Sequence, residues 1–132
     1  MALRKLQSTD STTIAAIGTS FDASKRSTLS VNINYQGKFS GNFQGLYVQI
    51  SSISSATKLT MRICLDAAGD NILIPDTEAD IAIGITTAAV GMVAIGVDLD
   101  VFTTSETYYV FYKTDAGTVT INDATLTYRR EV

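Results

Sequence analysis

Apolar and polar residues alternate almost without a break from Val97 to Arg130, and the strongest interruption is Asp115-Ala116-Gly117. A period of two puts successive side chains on opposite faces of an extended chain, so this stretch predicts half-buried strands and a turn at 115–117. The pattern recurs upstream. Leu29, Val31, Ile33 and Tyr35 alternate with Ser30, Asn32, Asn34 and Gln36, and Leu46, Val48 and Ile50 predict another strand, closed by a Ser-rich turn at 51–57. Leu59, Met61, Ile63 and Leu65 form the next expected buried face, with Cys64 on the polar phase beside Thr60, Arg62 and Asp66. Asp66 to Asn71 has the acid-and-glycine chemistry of a hairpin loop. Pro75 is expected to end a short strand at 71–74, ahead of an acidic loop with Asp76, Glu78 and Asp80. Ile81, Ile83 and Ile85, then Val93 through Val101, predict two further strands joined by a turn.

The result is about eight strands at spacings of roughly 8–15 residues, with no helical period, which implies an all-β antiparallel sandwich or small barrel. At 132 residues the chain is one domain with one core. Residues 1–26 are rich in Ser, Thr and Ala with little periodicity, and read as an N-terminal arm in which Thr12, Ile14 and Ala16 could begin an edge strand. Residues 27–132 are the sandwich domain. The uncharged run from Ile81 to Val97 is 17 residues long, contains three glycines and lacks basic or aromatic anchors. It falls short of the ~20 residues of a membrane span, so no membrane partner is expected.

Composition narrows the class. Hydrophobic residues make up 45% but charged residues only 17%, and 12 Ser with 18 Thr supply much of the polar surface. With a mean hydropathy of +0.18, such a chain suits an assembly in which some apolar surface meets partners. The net charge of −3 hides a segregation. Residues 1–62 carry seven basic groups against Asp10 and Asp22, whereas residues 63–128 carry ten acids against Lys113 alone. Either neighbouring subunits meet with opposite charge, or the fold interleaves the two halves. Along the chain no basic cluster is dense enough for a nucleic-acid footprint.

Absent residue types exclude much chemistry. Without histidine there is no histidine triad or dyad, and the single cysteine, Cys64, leaves no internal disulfide and no plausible zinc site. The opening Met-Ala-Leu-Arg-Lys-Leu-Gln-Ser has charges without an apolar run behind them, unlike a secretory signal, so synthesis in a reducing cytoplasm is expected. Asp98 and Asp100 lie two apart on one strand face, roughly 6.5–7 Å along the chain, but they alternate with Val97, Leu99 and Val101 and read as the solvated phase. Asp76, Glu78 and Asp80 lack the glycine and terminal Glu of a calcium loop. No cofactor, metal or catalytic residue is expected, and the chain reads as a non-enzyme.

One stretch stands apart. Aromatics fall at Tyr35, Phe39, Phe43 and Tyr47, with Gly37, Gly41 and Gly45 between them. A hairpin with its tip near Ser40-Gly41-Asn42 would set Phe39 across from Phe43 and present an aromatic loop to a partner or a sugar ring. The competing reading, which the spacing favours, is aromatic packing over strand glycines.

Two resemblances follow. Tyr108-Tyr-Val-Phe-Tyr-Lys113 and Ala116-Gly-Thr-Val-Thr-Ile-Asn-Asp-Ala-Thr-Leu-Thr-Tyr128 resemble the closing strands of galactose-binding-like jelly rolls, with Asn122 where that pattern carries Asp. This implies a jelly-roll topology and transfers no sugar site. In its length, its Ser/Thr/Gly/Ala-rich strands and its lack of His and Trp, the chain also resembles small β-sandwich virion proteins of tailed phages, decoration or cement proteins above all. That likeness implies a homotrimer located in the virion and bound to a major capsid protein or other virion protein. The expected contact residues are Leu3, Arg4, Lys5 and Leu6 of the arm together with Phe39, Phe43 and Tyr47. The alternative is a carbohydrate-binding or receptor-binding module of a tail or fibre, stacking sugars on Phe39, Phe43, Tyr47 or the Tyr108–Tyr112 cluster.

Overall fold

The computed structural model describes residues 3–31, 41–81, 91–95 and 106–131. They form nine strands: β1 (Leu3–Asp10), β2 (Ile14–Ile17), β3 (Arg26–Val31), β4 (Gly41–Ser54), β5 (Lys58–Cys64), β6 (Ile72–Asp80), β7 (Gly91–Ile95), β8 (Glu106–Thr114) and β9 (Thr118–Glu131). One sheet, A, runs β1-β9-β4-β7, and the other, B, runs β3-β8-β5-β6. Every named pair is antiparallel. β1 pairs with residues 124–131 of β9 and β2 with residues 119–121, so the two lie end to end along one edge of β9. Counted as one interrupted strand they leave eight, and each sheet interleaves early and late strands. That is the jelly-roll order, an antiparallel β-sandwich.

Alternation builds the core. Leu29 on β3, Leu46, Val48 and Ile50 on β4, Leu59, Met61 and Ile63 on β5, Tyr108, Val110 and Tyr112 on β8, and Val119, Ile121, Ala124 and Leu126 on β9 are buried together between the sheets. Each large aliphatic chain so buried contributes about 1.5–3 kcal/mol. The phase slips once on β9, where Gln49 pairs with Asp123 but Ile50 pairs with Ile121. This bulge at Asn122 lets Ile121 and Ala124 both face inward.

Within the stretch read as an arm with a possible edge strand, Leu3–Asp10 and Ile14–Ile17 pair with β9 in sheet A. Asp10 breaks the run between them: its carboxylate accepts the Thr12 amide at 3.0 Å and the Thr28 amide at 2.8 Å, tying sheet A to β3. The expected hairpin tip at Ser40–Asn42 is not a tip at Gly41 and Asn42, which pair with Arg130 and Arg129 within β4. The expected turn at 51–57 is confined to its end, because β4 continues to Ser54 with Ser52, Ile53 and Ser54 still paired to β9. Pro75 does not end a strand but sits inside β6. β6 ends the order of sheet B and the register slips opposite Arg62, so no ladder bond is lost there. Asp76, Glu78 and Asp80 therefore lie on a strand and not in a loop. Ile33, Tyr35, Ile83, Ile85, Asp98 and Asp100 lie outside the described residues.

Candidate functional site

Among the described residues, the outer face of sheet B carries ring, ion-pair and hydrogen-bond contacts. Residues 18–25, between β2 and β3, bring Phe21 onto it. The guanidinium carbon of Arg62 lies 4.3 Å from the Phe21 ring centroid and the Lys113 ammonium 4.9 Å from it. Arg62 also grips Asp76 on β6 through two bonds, Nε to Oδ1 at 2.6 Å and a terminal nitrogen to Oδ2 at 3.2 Å. That bond from Arg62 holds the Asp76 carboxyl below its ordinary range despite some desolvation, and raises Arg62 in turn. Lys58 and Glu78 pair at 3.3 Å one rung along, which raises Lys58. Arg26 lies 5.5 Å from the ring centroid of Tyr109 and donates to the Ala23 carbonyl. These cations are occupied by ring faces and carboxylates of the same chain, so the face is cladding for the sheet and not an open charged site.

The far end of that face is roofed. The 66–71 loop is closed by Asp66, which accepts the amides of Asn71 at 2.8 Å and Asp70 at 3.1 Å. Its Gly69, at φ +82°, lies over the Phe111 ring, where an added Cβ would meet Cζ at 3.2 Å. Phe111 and Cys64 are buried outside the main core cluster. Cys64 does occupy the outer phase, as its position in the alternation requires, but it is fully buried, contrary to the polar exposure expected from that phase. Burial pushes its thiol up.

The outer face of sheet A carries the hydroxyls of Thr9 and Thr125. Tyr47 is half-buried there, directly opposite Thr125, whose hydroxyl lies 2.9 Å from that of Thr9. Tyr47 is thus the one proposed contact aromatic whose side chain the structure describes. Phe43 pairs with Tyr128 in the β4–β9 ladder, and Phe39 lies outside the described residues. Leu3, Arg4, Lys5 and Leu6 are the first four residues of β1, opposite Glu131, Arg130, Arg129 and Tyr128. Tyr108 and Tyr112, considered as stacking platforms, are instead core residues at 3% and 0% exposure. Tyr112 donates to or accepts from Ser27 Oγ at 2.7 Å, and desolvation drives its hydroxyl far above the ordinary tyrosine range.

The β1–β9 ladder produces a feature invisible along the chain. Arg4 and Lys5, near one terminus, meet Arg130 and Arg129, near the other. Each pair alone is unremarkable in the sequence; the available signal was that both ends of a short β chain carry adjacent basic residues. Among the described residues, no group of three or more acidic or cysteine side chains is arranged to hold a metal ion. None of their helices is long and apolar enough to cross a membrane.

No described protein family and no curated protein matches the sequence. Solved structures do align with the fold. A chain of infectious bursal disease virus, Gx strain, is 16% identical with a TM-score of 0.47, over 98% of this chain and 32% of its own. The C-terminal CBM6 of LamC, a marine laminarinase from Zobellia galactanivorans, is 14% identical with a TM-score of 0.46, over 94% of this chain and 99% of its own. The xylan-binding module CBM15 is 13% identical with a TM-score of 0.49, over 96% of this chain and 95% of its own. This chain therefore spans about a third of the viral chain and nearly all of each carbohydrate module. The likeness concerns the fold, and no residue role is carried over from it.

Proposed function

We propose that this chain is a non-enzymatic structural subunit of a tailed-phage virion, a decoration or cement protein that binds and stiffens the capsid shell as a homotrimer. The observation that carries the reading is the edge position of β1. Among the described residues β1 pairs with β9 on one side only, and no described strand takes up the backbone groups of Leu3–Asp10 that face away from β9, the kind of edge on which another chain can pair. Leu3, Arg4, Lys5 and Leu6 lie on that edge. A rigid sandwich with open edges and a hydroxyl-rich, weakly charged surface provides area for packing, and area in standard-sized interfaces is what such a subunit supplies. The partner is the major capsid protein or another virion protein together with neighbouring copies.

The test is co-sedimentation of the purified protein with undecorated shells of the phage whose genome carries its gene. Saturable binding at a fixed number of copies per shell is expected, with greater resistance of the shell to heat. Absence of binding overturns the reading.

A second reading has its own observation. Tyr47 offers a half-buried ring on the sheet face that carries the Thr9 and Thr125 hydroxyls, the arrangement a carbohydrate-binding module of a tail or fibre would use for stacking. It predicts hits on a glycan array that Tyr47→Ala abolishes; an array without hits removes it.

A further inference from the structure

We propose that the cavity inside the β2–β3 loop is a binding site for a neutral glycan, separate from Tyr47. It goes beyond both readings above. The loop lies against the outer face of sheet B, whereas Tyr47 lies on the outer face of sheet A.

The cavity holds about 500 Å³, within the roughly 300–1,000 Å³ of small-molecule sites. Gly18, Thr19, Ser20, Phe21, Asp22 and Lys25 are among the residues that line it. Its walls are held by bonds within the chain. The Gly18 carbonyl accepts the Thr114 amide at 2.9 Å, which pins one wall to β8. The Asp22 carbonyl accepts the Lys25 amide at 2.9 Å, which closes the loop into a turn. Phe21 is clamped by Arg62 and Lys113, whose charged groups lie 4.3 Å and 4.9 Å from its ring centroid. The Lys25 ammonium donates to the Ala15 carbonyl of β2. A site fixed in this way gives up little conformational freedom on binding.

The exposed groups select the ligand. Thr19 and Ser20 are exposed, and their hydroxyls bond to no other group among the described residues. Asp22 accepts the Ser24 amide at 2.9 Å and the Ser24 hydroxyl at 2.7 Å, both on Oδ1, which leaves Oδ2 to accept from a ligand. A carboxylate oxygen binds a hydroxyl donor about twice as strongly as a neutral acceptor does. The half-buried Phe21 ring adds an apolar surface for the C–H face of a sugar. A ring, two hydroxyls and one carboxylate oxygen together suit a ligand that carries many hydroxyls around a flat apolar face. Anionic ligands are disfavoured. Lys25, the cation among the described lining residues, is taken by a carbonyl, and Arg62 beneath Phe21 is taken by Asp76. A phosphorylated group or an acidic sugar would therefore meet the Asp22 carboxylate without a compensating charge.

Gly18 supplies the means of closing the cavity. A Cβ added there meets no heavy atom within 4 Å, and its backbone lies outside the left-handed region. A larger side chain at this position takes up cavity space with little disturbance of the fold.

The experiment is an array of neutral oligosaccharides of glucose, xylose, galactose and mannose, with sialylated and sulfated oligosaccharides as the acidic arm. The full chain is probed as wild type, Gly18→Leu, Asp22→Asn and Tyr47→Ala, with thermal melts confirming that each variant is folded. The wild type is expected to bind within the neutral set and not the acidic one. Gly18→Leu and Asp22→Asn are each expected to weaken that binding on the order of tenfold. Backbone amide shifts of the wild type, titrated with the neutral oligosaccharide it binds, are expected to move at residues 18–25. An array without neutral hits, a preference for the acidic set, or shifts confined to the strands around Tyr47 overturns the site. Hits lost with Tyr47→Ala but kept with Gly18→Leu also overturn it, and leave the Tyr47 reading standing. Should Gly18→Leu fail to fold, the shift map of the wild type decides. Failure to bind shells with glycan binding at residues 18–25 intact removes the capsid reading and leaves this site standing.

Discussion

The α-carbon of Gly117 is held against the carbonyl of Ser54: a Cβ added to Gly117 would lie 1.9 Å from the Ser54 oxygen and 2.9 Å from the Ser55 Cβ. This contact docks the β8–β9 turn onto the end of β4, and Asp115 secures the same junction by accepting the amides of Thr57 at 2.9 Å and Lys58 at 3.0 Å. Those bonds, that of the Thr57 hydroxyl first, hold the Asp115 carboxyl far below its ordinary range.

Gly117 also sits at φ +63°, where a side chain is strained whatever the space around it. Gly117→Ala is expected to destabilise the fold by more than about 2 kcal/mol. Gly18→Ala, where no heavy atom comes within 4 Å of an added Cβ, is the control, and a change within about 0.5 kcal/mol is expected there. Urea unfolding of both variants checks the pair; equal effects would mean that the turn does not dock as described.

Ser27 and Tyr112 share a buried hydrogen bond. Tyr112→Phe and Ser27→Ala each leave one buried hydroxyl without its partner and are expected to cost about 1–2 kcal/mol. The double variant is expected to cost less than the sum, with a coupling of about 0.5–1.5 kcal/mol. Additive effects in a double-mutant cycle would show that the two hydroxyls act independently.

Cys64 is fully buried at the end of β5, and its thiol is pushed up by that burial. Labelling by an aromatic disulfide reagent in native buffer is expected to be at least about a thousandfold slower than for an unfolded control, because access requires opening. Rapid labelling of the native protein would contradict the burial of this strand end.

The titration of stability with pH has a defined shape. Asp10, Asp66, Asp76 and Asp115 are all held below the ordinary aspartate range by the hydrogen bonds they accept. For Asp10, burial works against ionisation, but the bonds from Thr28 and Thr12 outweigh it. As pH falls below about 4 the unfolded chain takes up protons that the folded chain refuses, so stability present above that pH is lost on acidification. At the alkaline end the shifts are upward. Desolvation raises Cys64 from 9.0 and Tyr112 from 10.0, so the unfolded chain releases protons first and stability falls as pH rises past 9 to 10. Melts across pH 3–11 are expected to give a plateau between these limits; a maximum displaced outside them would contradict the assigned partners.

The alternation of residues by itself determined that this is an all-β chain with one buried face per strand. Leu46, Val48 and Ile50 face inward, as do Leu59, Met61 and Ile63 and the closing Tyr108, Val110 and Tyr112, because a period of two leaves an extended chain no other way to bury them together. The turns at 66–71 and 115–117 were legible for the same local reason, since Gly69 and Gly117 occupy conformations that other residues resist. What pairs with what was not local. β8 and β9 are consecutive and separated by a tight turn, yet they lie in different sheets, because Gly117 and Asp115 dock that turn onto β4 and β5 and not into a hairpin. Pro75 looked like a strand end because only the finished sheet shows that β6 terminates its order and bulges opposite Arg62. Cys64 sat on the solvent phase of its strand, and only the fold brought the 66–71 loop back over that face. One more pairing arose in the same way: Arg4 and Lys5 meet Arg130 and Arg129 through antiparallel pairing of the two ends of the chain, a proximity that no spacing along the sequence encodes.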